Sequence, residues 1–280
     1  MRRLETVPAL HEWRRHLKGS LGLVPTMGFL HEGHLSLVRR ARAENDLVAA
    51  TIFVNPAQFG PREDFARYPR DLPRDLALLE REGVDLVFTP DRAEIYPEGY
   101  HTYVTVEHLS ERWEGASRPG HFRGVATVVA KLFTLFMPDR AYFGQKDYQQ
   151  LQVVRRLARD LGFPLTVVAC PIIREPDGLA LSSRNGYLSR AERQAATVLF
   201  RALQAGEVAY GAGERSGRRL QGMVEEILAR EPLAKPDYVA VADPETLEEL
   251  DEVGPRGAIL CLAVWIGATR LIDNCLLGRP

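Results

Sequence analysis

The first 170 residues alternate between short, mostly apolar runs and longer stretches in which apolar residues recur at helical spacing. The apolar runs are typical of buried parallel strands, because they lack the alternation of strands with one face in water. They lie at 21–24, 47–54, 84–88, 139–143 and 165–169. The helical stretches lie at about 8–17, 35–45, 72–82, 121–136 and 151–161. This order predicts an α/β fold with a doubly wound, mostly parallel sheet.

Two stretches between these elements have weaker patterns. Residues 100–106 alternate like a strand, and the polar stretch 114–120 contains Gly and Pro and predicts an exposed, mobile loop. The apolar positions of 121–136 predict a helix that is largely buried against the sheet.

The C-terminal part has a different pattern. Helical spacing at about 189–210 and 216–229 is followed by strand-like runs at 238–242, 259–266 and 270–275. Ser189, with Glu192 three residues on, matches a capping box. We therefore predict a Rossmann-like domain at 1–172 and a smaller α+β lid domain at 173–280. We expect the loop 179–185 of the second domain to close over a ligand held by the first.

The stretch from Gly22 to His34 carries the clearest chemical signal. An apolar run is expected to end as a strand at Pro25, which has no N–H for a central ladder. Glycines 28 and 33 permit tight turns, and His31 and His34 then fall at the start of a helix. Free N–H groups at a helix start bind anions, and two imidazoles add donors for phosphate oxygens. This favours a phosphate site over a turn with solvated histidines.

Polar side chains also follow two other predicted strands. Gln58 lies in the loop 55–60, and Lys146 and Gln150 lie in 144–150. Lys146 is one of only four lysines in the chain, and this rarity favours a role in a site over a position on the surface. For Gln58, the alternative of a turn residue exposed to solvent stays open. Because ligands of open α/β sheets bind outside the carboxyl ends of the strands, we expect all three loops to serve one site.

Charge and composition exclude several other classes of protein. The net charge of −1 argues against a protein that binds nucleic acid through bulk electrostatics. An apolar N-terminal leader and an apolar run near 18 residues are both missing, so we expect a cytoplasmic protein without a membrane partner. The cysteines at 170, 261 and 275 are few and far apart, which predicts buried reduced thiols.

Several of these segments together resemble one family. The segment His31-Glu32-Gly33-His34 corresponds to the HIGH motif of the nucleotidyltransferase superfamily that includes class I aminoacyl-tRNA synthetases. The segment 181–185, LSSRN, stands where KMSKS is expected, with Ser and Arg in place of the lysines. With 53–59 and 144–150 in the same order, the chain resembles the pantothenate synthetases over essentially its whole length.

The resemblance implies a two-step ligation. ATP adenylates the carboxylate of (R)-pantoate, and the amine of β-alanine then attacks the acyl-adenylate to give pantothenate and AMP. It implies Mg²⁺ as the companion of ATP and a cytoplasmic homodimer as the assembly. The implied ATP-binding residues are Met27, Gly28, Phe29, Leu30, His31, Glu32, Gly33, His34, Gly144, Gln145, Lys146, Asp147, Ile173, Leu181, Ser182, Ser183 and Arg184. The implied catalytic residues are His34, His31, Lys146, Ser182 and Arg184, and Gln58 and Gln150 would bind pantoate, with Gln58 also near β-alanine.

One position departs from the family pattern. Some relatives have two adjacent acidic residues near the metal where this chain has Arg74-Asp75, so no metal ligand is assigned. Three alternatives stay open: another HIGH-motif nucleotidyltransferase, a nucleotide sensor without turnover, and a truncated tRNA synthetase. The first does not explain the Gln58 and Gln150 pair, and the last does not suit the charge.

Overall fold

A computed structural model describes residues 1–61 and 63–278 of the chain. The described residues form two compact units, one within 1–145 with 149–171 and one of 146–148 with 172–278. The first unit contains a parallel sheet of six strands in the order β1-β4-β3-β2-β5-β6. These strands are β1 (Arg2–Leu4), β2 (Leu21–Thr26), β3 (Leu47–Ile52), β4 (Leu86–Phe88), β5 (Arg140–Gly144) and β6 (Thr166–Cys170). The prediction of an α/β fold with a parallel sheet is confirmed, and the domain division at 172/173 stays a prediction.

Five helices of this unit match the predicted helical spacing, and two four-residue helices, Arg92–Ile95 and Glu114–Ser117, were not predicted. The helices of the unit are α1 (Val7–Arg15), α2 (Glu32–Glu44), α3 (Leu72–Arg81), α4 (Arg92–Ile95), α5 (Glu114–Ser117), α6 (His121–Phe136) and α7 (Tyr148–Asp160). The helix α6 has the predicted bounds, and its apolar stripe, including Val125, Val129 and Phe133, is buried. This burial keeps the helix against its neighbours, so that its first turn is a fixed support for the loop after β3.

The strand β2 does not end at Pro25, as the sequence pattern suggested. It runs on to Thr26, and Pro25 is in register with Thr51 of β3. The ladder between β2 and β5 is registered only at Gly22 and Leu23, so Pro25 lies beyond the part of the strand that pairs with β5. A missing N–H is tolerated there. On the other side, the Thr26 hydroxyl donates to the Thr51 carbonyl at 2.6 Å and closes the strand end.

Two further predictions for this unit are wrong. Residues 101–106 form no strand; the segment is held instead by a bond from Val104 N–H to the Thr127 hydroxyl at 3.0 Å and by the Arg123 guanidinium over the Tyr103 ring. The stretch 114–120 is not simply an exposed loop, because it contains α5, whose first residue Glu114 is buried. In both places local polar and aromatic contacts override the one-dimensional pattern.

The second unit contains three more helices and an antiparallel sheet. These are α8 (Arg190–Ala195), α9 (Val198–Gly211), α10 (Gly217–Ala229), β7 (Ala234–Ala242), β8 (Ala258–Ile266) and β9 (Thr269–Leu277), with the sheet in the order β7-β8-β9. The predicted single helix 189–210 is two helices that are interrupted at 196–197. The predicted capping box is present, since Ser189 Oγ accepts from Glu192 N–H and the Glu192 carboxylate accepts from Ser189 N–H.

A substitution at Gly124 of α6 tests whether this helix must lie close to the loop after β3. A Cβ at Gly124 would lie 2.2 Å from the Ala57 carbonyl oxygen, whereas a Cβ at Gly222 of α10 would meet nothing within 4 Å. We expect Gly124→Ala to lower the melting temperature, because α6 and the loop would have to move apart. Gly222→Ala should raise it slightly, since alanine is the better helix former by about 1 kcal/mol. Calorimetry of both variants checks this, and equal shifts of the same sign would contradict it.

Candidate active site

Three polar loops leave neighbouring strands of the parallel sheet at the same edge. The loops after β3, β2 and β5 begin at residues 53, 27 and 145, and these three strands are adjacent in the sheet. The chain moves from β2 to β3 in one direction, and β5 pairs on the other side of β2, so the strand order reverses between β2 and β5. Open α/β sheets bind ligands at such a reversal, outside the carboxyl ends of the strands.

The loop after β2 is bent sharply and held by a buried carboxylate. Gly28 and Phe29 both have positive φ angles, 83° and 51°. Residues other than glycine rarely adopt such a backbone conformation, so it is unfavourable for Phe29. Asp75 of α3, which is 1% exposed, accepts from Phe29 N–H at 2.6 Å and from Leu30 N–H at 2.8 Å. Burial raises the pKa of Asp75, and these two bonds act in the opposite direction. Asp75 therefore fixes the strained turn.

Sequence reasoning missed this role for Asp75. It considered the residue only as part of a metal-binding pair and left it unassigned. The available signal was an acidic residue on the apolar face of an amphipathic helix: Leu79, one turn further along α3, is fully buried.

His31 and His34 lie at the start of α2, as predicted. His31 is the N-cap and His34 is the third helical residue, and both side chains are partly exposed. His31 N–H donates to His34 Nδ1 at 3.3 Å, and the ring centroids are 4.1 Å apart. Because Nδ1 accepts, the proton of neutral His34 is on Nε2, which makes Nε2 a hydrogen-bond donor. The helix start thus presents N–H groups and an imidazole donor together.

Gln58 is held in one orientation by Asn55. Both residues are buried, and they cap and end the short 3₁₀ helix Pro56–Gln58. Asn55 Nδ2 donates to Gln58 Oε1 and to the Gly124 carbonyl, each at 3.0 Å, while Asn55 Oδ1 accepts from the Tyr96 hydroxyl at 2.8 Å. With its oxygen engaged, Gln58 presents Nε2, which lies 3.3 Å from Met27 Sδ. A thioether is a weak acceptor, so a ligand oxygen would be the better partner.

His121 holds the backbone of the same residue. His121 Nδ1 lies 2.8 Å from the Gln58 carbonyl oxygen, and Nε2 lies 3.2 Å from Arg118 Nη1. A carbonyl only accepts and a guanidinium only donates, so the imidazole is neutral with its proton on Nδ1. Burial, and next the Arg118 charge, lower the pKa of His121 to about 4. Arg118 is itself paired through two nitrogens with Glu63.

The remaining predicted site residues divide between the two units. Gly144, Gln145 and Gln150 belong to the first unit, and all three are partly exposed. Lys146 and Asp147 belong to the second unit, and Lys146 Nζ lies 3.9 Å from Asp147 Oδ1.

The second unit also contains Ile173 and the segment Leu181–Arg184. Leu181 N–H donates to the Ile173 carbonyl at 3.0 Å. Ser182 caps the 3₁₀ helix Ser183–Tyr187, because its Oγ accepts from Arg184 N–H at 3.3 Å. The ligand roles of all these residues stay predictions.

The three cysteines, at positions 170, 261 and 275, lie outside these loops. All three cysteines are free, and burial raises the pKa of Cys170 to about 11 and that of Cys275 to about 12. Within residues 1–61 and 63–278, no three His, Cys, Asp or Glu side chains come together as a metal-binding group. Over the same ranges, no helix has the length and apolarity to span a membrane.

The fold and the loops define a class of protein before any comparison. An open parallel sheet with a glycine-containing loop at its strand-order reversal binds its ligand at that reversal, and nucleotides are frequent ligands of this fold. The family model described as pantoate-beta-alanine ligase matches residues 2–276. The chain belongs to the pantoate–β-alanine ligase family.

Individual relatives agree with this assignment. The pantothenate synthetase of Roseiflexus castenholzii is 61% identical over 277 residues, with 99% of each chain covered. The crystal structure of pantothenate synthetase from Thermus thermophilus matches with a TM-score of 0.94 and 55% identity, covering 98% of this chain and 99% of that one. A pantoate-beta-alanine ligase from Francisella tularensis, crystallised with beta-gamma ATP and beta-alanine, matches with a TM-score of 0.82 and 34% identity over 99% of this chain and 97% of that one.

Replacing Asp75 tests whether the strained loop depends on its carboxylate. In Asp75→Asn, an amide nitrogen would face one of the two loop N–H groups. We expect the free energy of unfolding to fall by about 1–3 kcal/mol, because a buried donor loses its acceptor. Glu80→Gln, on the exposed side of the same helix with a 68% exposed side chain, is the control and should change little. Denaturant titration measures both; equal small effects would remove the proposed role of Asp75.

The depressed pKa of His121 predicts a pH dependence of stability. The unfolded histidine titrates near 6.5 and the folded one near 4, so the unfolded chain binds more protons between these values. Stability should therefore fall as the pH falls from 6.5 towards 4, by up to roughly 3 kcal/mol from this residue. His121→Asn keeps a donor for the Gln58 carbonyl but does not titrate, so its stability should depend less steeply on pH. An unchanged slope in urea titrations across this range would contradict the assignment.

Proposed function

We propose that this protein ligates (R)-pantoate and β-alanine to pantothenate with ATP, through a pantoyl-adenylate, in the biosynthesis of coenzyme A. Family membership over residues 2–276 supports the reaction class. The observation that carries the proposal is the contact between Gln58 Nε2 and Met27 Sδ at 3.3 Å. This contact brings the Gln58 amide, which is proposed to bind pantoate, next to the loop after β2, which is proposed to bind ATP. Both lie where the strand order reverses.

The reaction needs positioning and charge stabilisation more than a protein nucleophile. A carboxylate oxygen of pantoate attacks the α-phosphorus of ATP, the bond from that phosphorus to the bridging oxygen breaks, and pyrophosphate leaves. The amine of β-alanine then attacks the acyl carbon, loses a proton, and AMP leaves with the oxygen that had joined it to the acyl group. The high pKa values of Cys170 and Cys275 fit this scheme, since neither forms a thiolate near neutral pH.

Each group of residues has a role in this proposal. The N–H groups and imidazoles at the start of α2, above all His34, bind phosphate oxygens, where charge accumulates in the transition state. Gln58 and Gln150 bind pantoate through neutral amides, which leaves its carboxylate nucleophilic, and Gln58 also contacts β-alanine. Lys146, Ser182, Ser183 and Arg184 supply further donors to the phosphates.

Several finer features are carried by the resemblance to the family. We propose that ATP is used with Mg²⁺, that the protein is a homodimer, and that it is cytoplasmic. Mg²⁺ is usually bound through substrate phosphates, waters and one or two carboxylates. Asp75 is already committed to two loop N–H groups, so it does not fit a metal ligand, and no step above depends on the ion.

One assay tests the proposed reaction against other uses of ATP. Exchange of labelled pyrophosphate into ATP should require pantoate, and release of AMP should further require β-alanine. Exchange that needs no pantoate would indicate another nucleotidyltransferase. Binding of ATP with neither exchange nor AMP release would indicate a sensor.

Removing the imidazole of His34 tests the catalytic loop. We expect His34→Ala to lower kcat roughly 10²–10³-fold, as losing one preorganised donor does, and to raise the KM for ATP far less. His11→Ala, on the exposed face of α1, is the matched control and should leave both constants unchanged. Steady-state kinetics of the two variants decide the matter, and an unchanged kcat for His34→Ala would refute its role.

A further inference from the structure

Two consecutive polar residues are buried in the last strand of the second unit. Asp273 and Asn274 of β9 are each 2% exposed. Successive side chains of a strand point to opposite faces, so β9 buries a polar group on each side of the sheet. Burying such groups is costly unless hydrogen bonds compensate for the lost water. Their partners are therefore informative.

Asp273 holds the segment that leads into Leu181–Arg184. Arg174 Nη1 and Nη2 donate to the two oxygens of Asp273 at 2.6 and 3.0 Å, in the parallel geometry that fixes a guanidinium most firmly. Arg174 also donates to the Gly178 carbonyl at 3.0 Å and pairs through its backbone with Ala180. Arg174 thus closes the hairpin 174–180, and Asp273 fixes Arg174.

Asn274 holds Lys146, which is also proposed to bind phosphate. Its Nδ2 donates to the backbone carbonyl of Lys146 at 2.9 Å, across 128 positions of sequence. Burial raises the pKa of Asp273, and the charges of Arg174 and Lys146 act in the opposite direction. Adjacent residues of one strand therefore contact both segments.

The two turns with the proposed phosphate donors are not themselves packed into the core, although Leu179 and Ala180, just before the second turn, are buried. The short 3₁₀ helices Gln145–Asp147 and Ser183–Tyr187 contain no buried residue. Hydrophobic packing, which fixes most of the fold, does not fix these turns directly. The polar contacts from β9 restrain the backbone of Lys146 and the hairpin 174–180 that leads into the second turn.

We infer that Asp273 and Asn274 are positioning residues for catalysis: Asn274 fixes Lys146, and Asp273 fixes Ser182–Arg184 through Arg174. This rests on the proposed binding of ATP phosphates by Lys146 and Ser182–Arg184. The strand would act as a common support that keeps the donors of both segments in place before ATP arrives. Such preorganisation matters because misplacing a catalytic group by about 1 Å can cost about 10²-fold in rate.

The test compares Asn274→Leu, Lys146→Ala and the double variant in pantoate-dependent pyrophosphate exchange. Asn274→Leu keeps the number and branching of the side-chain heavy atoms but removes the donor to the Lys146 carbonyl. We expect it to lower kcat roughly ten- to hundredfold, with the KM for pantoate within about twofold of wild type. If Asn274 acts through Lys146, the double variant should be no slower than Lys146→Ala alone. Effects that multiply would overturn the inference.

Leu271→Ala, a buried apolar change on the same strand, separates positioning from stability. It should lower the melting temperature without lowering the kcat of the folded protein. If Asn274→Leu behaves in the same way, its role is structural only and the inference fails. Where Asn274→Leu does not fold, Arg174→Lys replaces it: a lysine keeps the charge but loses the paired bonds to Asp273. An unchanged kcat in Arg174→Lys would then refute the role of Asp273.

The wild-type protein in the same assay separates a failure of the proposed function from a failure of the positioning role of Asp273 and Asn274. A wild-type protein without pantoate-dependent exchange removes the proposed function itself. An active wild type with unaffected Asn274 and Arg174 variants leaves the function standing and removes only the positioning pair.

Discussion

The candidate site depends on one buried carboxylate. Asp75 accepts from two consecutive N–H groups of the loop after β2 and thereby holds Phe29 in a backbone conformation that costs energy. The turn so formed delivers the chain to α2 with His31 as the N-cap. Without this anchor the loop has a less strained alternative. The histidine pair, the N–H groups of the helix start and Met27 would then lose their common geometry.

The same solution recurs at the other loops of the site. Gln58 is fixed through its side chain by Asn55 and through its backbone by His121, and Lys146 is fixed through its backbone by Asn274. In each case a buried polar group holds a residue proposed to contact substrate. Apolar packing alone leaves a loop several nearly equivalent conformations, whereas hydrogen bonds in a buried setting select one. A reaction that proceeds by positioning needs such selection more than it needs reactive side chains.

Five of the six strands of the parallel sheet, the order of its longer helices and the loops at its carboxyl edge could be predicted from hydrophobic spacing, because mostly apolar strands leave few other folds. The strand β1 could not, since two of its three residues are exposed. The continuation of β2 through Pro25 could not, since it depends on how far β5 extends alongside. The prediction of a strand at residues 100–106 was wrong for a related reason. Alternating apolar and polar residues form a strand only where a partner strand is available.

Within the candidate site, the residues proposed to face a ligand were suggested by motif and by resemblance. The residues that support them were not. Asp75, His121 and Asn274 make their decisive contacts across 45 or more positions of sequence, and these contacts exist only after folding. A buried polar residue on an apolar face is the signal that could have found them, but it does not reveal the partner.

The central claim is that a substrate carboxylate attacks the α-phosphorus of ATP at this site. Pantoate labelled with ¹⁸O in both carboxylate oxygens tests it most directly, with mass spectrometry of the products after complete turnover with β-alanine. The account predicts one ¹⁸O in AMP and one in the amide carbonyl of pantothenate. Label in inorganic phosphate, or AMP free of label, would contradict it.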